Sequence, residues 1–306
     1  MDGVTSLEMP ILGYCSPGQR LFGKVRQGPS PMKKKQVPQS ATIVTLLIAS
    51  IWTSSADAEQ KFLSRKPRHG GVYVIAHRGA HRNIPENTIP AYARAIEMGA
   101  DYVEVDLRTT SDGYIVSIHN GTVDAYTRDA GGKVSNFTLQ ELKSMDIGSR
   151  IGAEWASTRI PTLDEIIELC RGKIGLYVDL KAASVEEVSE KLRAAGMAED
   201  AVWYAAEGQL QLLQKTCPEC LPMPDPITVA GLPRLLEMLQ PRVVASSMKY
   251  LSPDMVEMCH GVGALIFVDD NGPQDWEPML QMGVDGIQTD EPEELIAMLK
   301  VRDAKR

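Results

Sequence analysis

At 306 residues, 43% of them hydrophobic, the chain has apolar material for one large domain or two small ones and is too rich in it to be disordered throughout. Its formal net charge is −8, and the first 58 residues hold six of the 32 Lys and Arg but only three of the 40 Asp and Glu, so the remainder is more acidic still. An acidic domain with no basic stripe argues against a nucleic-acid partner, whose phosphates need Lys and Arg to neutralise them, though a few local cations suffice for a small anionic substrate.

Residues 1–31 are rich in Gly, Pro and Ser and show no periodicity. They precede Met32-Lys-Lys-Lys35, an apolar run from Ala41 to Trp52, and Ala56-Asp57-Ala58. A basic stretch, a short apolar stretch and an Ala-x-Ala site predict a secretory signal peptide over Met32–Ala58, with cleavage after Ala58 and export to the periplasm or medium. The competing reading is a membrane anchor or buried helix, but the run falls short of the roughly 20 residues that span a bilayer, so no stable membrane span is expected. Met32 is then the expected start of translation.

From residue 72 the pattern alternates short apolar runs with helical periodicity. The expected strand–helix pairs are 72–76 with 88–98, 102–108 with 163–170, 175–180 with 185–195, and 202–205 with 209–216. A second half repeats the beat: 220–223 with 232–239, 243–246 with 253–260, 264–268 with 276–282, and 286–288 with 293–300. Eight such units over residues 72–300 fit a closed (β/α)8 TIM barrel, an α/β fold of about 250 residues. The rival, an open doubly wound sheet, would carry a glycine-rich phosphate loop that this chain lacks. Residues 109–159 form a small hairpin-containing insertion between strand 2 and helix 2.

Charge concentrates at the ends of the first strands. Glu104 and Asp106 are two apart and so project from the same face of their strand; Asp179 and Lys181 repeat the arrangement on the next barrel strand. Charged side chains are almost never buried unpaired, so these mark a functional layer at the barrel mouth, the alternative being an Asp179–Lys181 ion pair alone. Carboxylate oxygens without a cysteine cluster select a hard divalent ion, Mg²⁺ or Ca²⁺. The link Thr110-Ser-Asp-Gly113 is too short for a crossover, so the strand at 114–119 returns antiparallel. If Thr109 pairs with Tyr114, His119 falls opposite Glu104.

His77-Arg78-Gly79, Pro85-Glu-Asn-Thr88, Gly99-Ala-Asp-Tyr-Val-Glu104-Val-Asp106, Ser111-Asp-Gly113 and His119 resemble the signature of the glycerophosphodiester phosphodiesterases. The resemblance continues through Asp124-Ala-Tyr-Thr-Arg128, Ile160-Pro-Thr-Leu163, Asp179-Leu-Lys181 and Gly283-Val-Asp-Gly-Ile-Gln-Thr-Asp290-Glu-Pro292. It implies metal-dependent hydrolysis of a small-molecule glycerophosphodiester to glycerol 3-phosphate and an alcohol. His77 and His119 would be the acid and base, Arg78 and Lys181 the phosphate-binding cations, and Glu104, Asp106 and Asp179 the metal ligands. Asp179 stands where the family usually has Glu, Asn120 where it has Asp, and Leu265–Asn271 replaces its aromatic strand-7 motif. Two alternatives stay open: a lysophospholipase D or phosphoinositide-type phosphodiesterase, and a non-catalytic extracytoplasmic binding barrel.

Pairing of Arg78 with Glu86 competes with its phosphate role. Glu86 and Asn87 read as capping the first helix and tying the His77 loop, and Asp290 as shaping a loop or capping the last helix rather than as a ligand. Cys217-Pro-Glu-Cys220 lacks the helix-start setting of a redox pair and reads as a small structural disulfide, with Cys170 and Cys259 as packing residues.

Overall fold

A computed structural model describes residues 63–128 and 130–305; the expected signal peptide and its cleavage point lie outside them. Strand β1 (Tyr73–Ala76) leads through a loop to α1 (Ile89–Met98). Next come β2 (Tyr102–Thr109), β3 (Ile115–Ser117), α2 (Leu139–Ser144) and α3 (Leu163–Cys170). Five units follow: β4 (Gly175–Ala182) and α4 (Val185–Ala194), β5 (Ala201–Tyr204) and α5 (Glu207–Thr216), β6 (Leu221–Pro222) and α6 (Leu232–Leu239), β7 (Val243–Ser247) and α7 (Pro253–Gly261), β8 (Leu265–Asp269) and α8 (Trp276–Met282). The last pair is β9 (Gly286–Thr289) and α9 (Pro292–Asp303).

All strands but β3 pair in parallel, in the order β6-β5-β4-β2-β1-β9-β8-β7. Ala245 N–H donates to the Pro224 carbonyl at 2.9 Å, bringing the two ends of this sheet together. The result is the nearly closed barrel expected from the eight units. Capping residues explain where several helices start: Thr88, Thr138, Thr162, Ser184 and Ser252 each accept a hydrogen bond from a first-turn backbone N–H.

Strand alternation divides the core into two shells. Outward residues such as Val74, Val103, Val105, Val178 and Ile287 pack under the helices. Inward residues Tyr73, Ile75, Tyr102, Tyr177, Val202, Val243 and Phe267 fill the barrel's lower half. The rings of Tyr73, Tyr102 and Phe267 meet at centroid distances of 5.3–5.9 Å. They fit because the facing positions are glycine: a Cβ on Gly175 would lie 2.4 Å from the Tyr102 ring, and one on Gly286 2.5 Å from Phe267. Leu63, buried, joins this plug from below, and the Tyr73 hydroxyl donates to the Arg65 carbonyl at 2.5 Å.

Between β2 and α3 the chain builds a separate apolar cluster around Val116, Val123, Tyr126, Leu142 and Ile160. The antiparallel β2–β3 register pairs Thr109 with Ile115 and Leu107 with Ser117, one residue away from the expected pairing. The turn explains the slip. Thr110 N–H donates to the Tyr114 carbonyl and Tyr114 N–H to Thr110 Oγ1, both at 2.9 Å, which leaves a three-residue loop, Ser111–Gly113, in place of four. Cys217 and Cys220 are disulfide-bonded, and Cys170 and Cys259 are buried thiols, as expected.

Candidate active site

The inward parity that places Tyr73 and Tyr102 in the plug carries His77, Glu104, Asp106, Asp179 and Asp269 to its upper end, so the barrel passes from an aromatic floor to a charged mouth. Asp106 and Asp179 are register partners on adjacent strands, and Glu104 is one inward step below Asp106. One oxygen from each of the three carboxylates falls within a group no wider than 4.8 Å. Glu104 and Asp106 are almost wholly buried, at 2% and 0% exposure.

The surroundings satisfy this charge only in part. Glu104 Oε2 accepts the Arg78 backbone N–H at 2.8 Å, and Asp106 Oδ2 accepts Asn87 Nδ2–H at 2.7 Å. Lys181 Nζ donates to Asp179 Oδ2 at 2.6 Å and stands 3.4 Å from Asp106 Oδ1, so the ion pair weighed against a functional role is present and reaches a second carboxylate. Burial, then the charges of Asp106 and Asp179, pushes the Glu104 carboxyl well above its ordinary range. Burial also raises Asp179, against its hydrogen bond from Lys181. Lys181 is itself raised: burial works the other way, but Asp179 and Asp106 outweigh it. Asp106 Oδ1 is a buried oxygen with no hydrogen-bond partner among the described residues. Three crowded carboxylates, one of them with a buried oxygen that an ammonium approaches but no hydrogen bond satisfies, fit a hard divalent cation by donor chemistry.

His77 follows β1 and Asp290 follows β9; because these strands are neighbours in the closed sheet, the two side chains meet. His77 Nδ1 lies 2.7 Å from Asp290 Oδ1, and the His77 backbone N–H donates to the Thr289 carbonyl at 3.0 Å. An ionised carboxylate only accepts, so His77 carries its proton on Nδ1 and leaves Nε2 as the free lone pair. His81 Nε2 approaches the same oxygen at 3.0 Å. Hydrogen bonds from His77 and then His81 hold Asp290 far below the usual carboxylate range. This corrects the capping role: the cap of α9 is Glu291, without a side-chain cap bond, and Asp290 instead orients His77.

Arg78 sits at φ +52 in the β1–α1 loop. Its guanidinium stands 3.3 Å from Glu86, the alternative pairing named above, with Nε 3.7 Å from Asp106 Oδ2. Asn87 is a support for Asp106 and not a cap, since Thr88 occupies that position. Its Oδ1 accepts from the Tyr92 hydroxyl at 2.8 Å and from Ser117 Oγ at 2.9 Å, and all three residues are buried.

His119 lies two residues beyond β3 and, by the observed register, is not opposite Glu104. The chain leaves the ladder after Ser117, and Arg108 holds it by donating to the His119 carbonyl at 2.6 Å. His119 remains close enough for its charge to act on Asp179. Its Nδ1 lies 3.0 Å from Asn120 Oδ1, and Asn120 N–H reaches the Tyr126 hydroxyl at 3.1 Å, which donates to Glu86 at 3.2 Å. Asp269, which ends β8, and Asp270, which follows it, add two carboxyls raised by burial that the sequence did not single out. Gln288 donates to Asp269 at 3.2 Å and the Trp276 indole to Asp270.

Comparison with solved structures gives the class first: this is a TIM-barrel phosphodiesterase. A glycerophosphodiester phosphodiesterase from Agrobacterium tumefaciens superposes with TM-score 0.65 at 29% identity, covering 72% of this chain and 98% of that one. A phosphodiesterase from Oleispira antarctica, solved with its product sn-glycerol-3-phosphate, superposes with TM-score 0.64 at 25% identity, covering 74% of this chain and 95% of that one. In sequence, a glycerophosphodiester phosphodiesterase from Caldanaerobacter subterraneus subsp. tengcongensis is 37% identical over 247 residues, covering 74% of this chain and 97% of that protein. The profile of the glycerophosphoryl diester phosphodiesterase family matches residues 77–216. The chain belongs to the glycerophosphodiester phosphodiesterase family.

Proposed function

We propose that the protein hydrolyses small glycerophosphodiesters to glycerol 3-phosphate and an alcohol, with proton transfer by His77 and His119. The observation that carries this reading is the buried cluster of Glu104, Asp106 and Asp179 beside an imidazole held by its own carboxylate. Glu104, Asp106 and Asp179 would hold Mg²⁺ or Ca²⁺, which when bound supplies Lewis-acid neutralisation of the phosphate. His77 Nε2 takes the proton of the attacking oxygen, that of water or of a substrate hydroxyl whose phosphoryl product water then opens, and Asp290 stabilises the imidazolium so formed, as carboxylates do for catalytic histidines elsewhere. His119 gives a proton to the leaving alkoxide. Arg78 and Lys181 turn donors toward the phosphate oxygens, each already anchored by a carboxylate. Residues 109–159 cover the mouth and exclude water. The bound product in the Oleispira antarctica structure supports glycerol 3-phosphate as the retained half.

The test is a diesterase assay on a panel of water-soluble glycerophosphodiesters and lysophospholipids, with and without chelator. Turnover of the soluble diesters, abolished by chelator and restored by Mg²⁺ or Ca²⁺, is the expected result. Full activity in excess chelator refutes the metal, and turnover of lysophospholipid alone refutes the substrate class. Among the described residues no helix is long and apolar enough to cross a membrane. The pattern Lys33–Ala58 supports export with Glu59 as the first residue of the secreted protein. N-terminal sequencing that returns Met1 or Met32 refutes it.

A further inference from the structure

His77 Nδ1, His81 Nε2 and Asp290 Oδ1 form a second constellation at the barrel mouth, separate in donor type from the three carboxylates. Asp290 Oδ1 lies 2.7 Å from one imidazole nitrogen and 3.0 Å from the other. A tetrahedral ion with bonds of about 2.0–2.1 Å to nitrogen and oxygen holds its ligands about 3.3 Å apart, so each nitrogen–oxygen distance needs to open by only a few tenths of an ångström, and the two nitrogens already lie within 4.8 Å of each other. The frame that carries them is tightly made. Gly79, at φ +85, leaves a Cβ position only 2.8 Å from Ala91, Ala80 N–H donates to the Ala91 carbonyl at 3.0 Å, and Ile84 N–H donates to the His81 carbonyl at 3.0 Å. The His77 backbone is pinned to Thr289, the residue before Asp290.

The side chains are also reachable. His77 and His81 are 22% exposed and Asp290 55%, which leaves a fourth position to water. Asp269 and Asp270 add negative charge nearby: Asp290 acts electrostatically on both. Two imidazoles and one carboxylate select borderline ions such as Zn²⁺ over Mg²⁺ and Ca²⁺, whereas the Glu104, Asp106 and Asp179 oxygens have the opposite preference.

We infer that His77, His81 and Asp290 form a zinc-binding site that switches off the catalytic base. The inhibition rests on the acid–base reading given above; the binding does not. With Asp290 alone as partner, His77 keeps its proton on Nδ1 and offers a lone pair on Nε2. Zinc takes the Nδ1 lone pair, so the one remaining proton of the neutral ring moves to Nε2. The ring is then blocked as a base at the atom that faces away from Asp290, with no proton gained or lost by the neutral imidazole.

The experiment titrates the whole protein with Zn²⁺ in saturating Mg²⁺, following free zinc with a chromophoric chelator and diesterase activity in parallel. Wild type should bind one Zn²⁺ that Mg²⁺ does not displace, and activity should fall as that ion binds. His81→Ala should lose more than tenfold in zinc affinity, the lower bound being the roughly 10–100-fold cost of losing even an outer partner of a metal site. Co²⁺ in place of zinc should give the strong visible bands of a four-coordinate site in wild type and not in His81→Ala. Zinc that Mg²⁺ displaces, or equal affinity in both proteins, overturns the site. Zinc bound at His81 with activity undiminished overturns the switch. A protein inactive on every glycerophosphodiester would refute the proposed function and leave the zinc stoichiometry to decide the site.

Discussion

Asn87 is where the β1–α1 loop meets the carboxylate cluster, and its replacement by alanine separates support from decoration. The side chain is 2% exposed and sits at φ +54, a conformation that asparagine tolerates and alanine does not. Asn87→Ala removes a 2.7 Å hydrogen bond to Asp106 Oδ2 and the acceptor shared by Tyr92 and Ser117. Those two hydroxyls lie 2.8 Å apart and can satisfy one another, so the loss is dominated by the bond to a charged group and the backbone penalty. Together these come to about 2.5–5 kcal/mol, taking about 1.5–3 for the hydrogen bond and about 1–2 for the left-handed backbone. Urea unfolding at constant m-value measures it, and Asn87→Gly, which keeps the backbone freedom, should recover the second part. Isothermal titration with Mg²⁺ should show affinity lowered roughly 10–100-fold, because Asp106 loses the donor that aims it. A loss below about 1 kcal/mol with unchanged Mg²⁺ affinity would refute the view of Asn87 as a buttress of the site.

Three further perturbations test other parts of the argument. His119→Ala should lower kcat by about 10²–10⁴-fold with no rescue by added metal, whereas the defect of Glu104→Ala should shrink as metal rises; a metal titration of kcat and KM for both distinguishes them. Gly79→Ala should cost more than about 2 kcal/mol in thermal unfolding, since the new methyl meets the Ala91 backbone at a backbone angle alanine avoids. Burial pushes the Asp101 carboxyl up to about 6, even though it accepts the N–H groups of Val74 and Arg68. Its folded state therefore holds a proton longer than the unfolded chain does, so that contribution is complete below about pH 4 and is lost as pH rises through about 6. The stability of wild type relative to Asp101→Asn should accordingly be greater at about pH 4 than at about pH 7, and a gap that widens with rising pH would reverse the assignment.

The eight units were legible because each helix carries its own apolar stripe and half of them have a Ser or Thr at the start, local signals that survive in one dimension. The carboxylate trio was legible for the same reason: Glu104 with Asp106, and Asp179 with Lys181, obey the two-residue period of a strand. The hairpin register was not, because it turned on whether Thr110 joins the loop or closes it, which its side-chain bonds to Asp112 and Tyr114 decide. The pairing of Asp290 with His77 was not legible because the two are 213 residues apart. The signal was nonetheless there: in any closed eight-stranded barrel the last strand lies beside the first, so the residue that follows β9 must face the one that follows β1. His81 had no such cue. It reaches Asp290 from a loop whose backbone turns through left-handed angles at Arg78 and Gly79, just before it.

The seam of the barrel is its thinnest part and lies opposite its chemistry. β6 is two residues long, prolines at 222, 224 and 226 remove donors from that edge, and Ala245 to Pro224 is the backbone bond that brings β6 and β7 together. In the strand order the four members that carry the site, β4, β2, β1 and β9, stand in the middle, as far from that join as the sheet allows. A cylinder built this way is mechanically a split ring: strain relaxes by parting at the slot while the far wall keeps its curvature. Amide exchange should therefore run fastest along Met223 and Ala245 and slowest along Val103 to Leu107, and destabilising changes in the β6–β7 region should erode the melting temperature well before they disturb the distances among Glu104, Asp106 and Asp179.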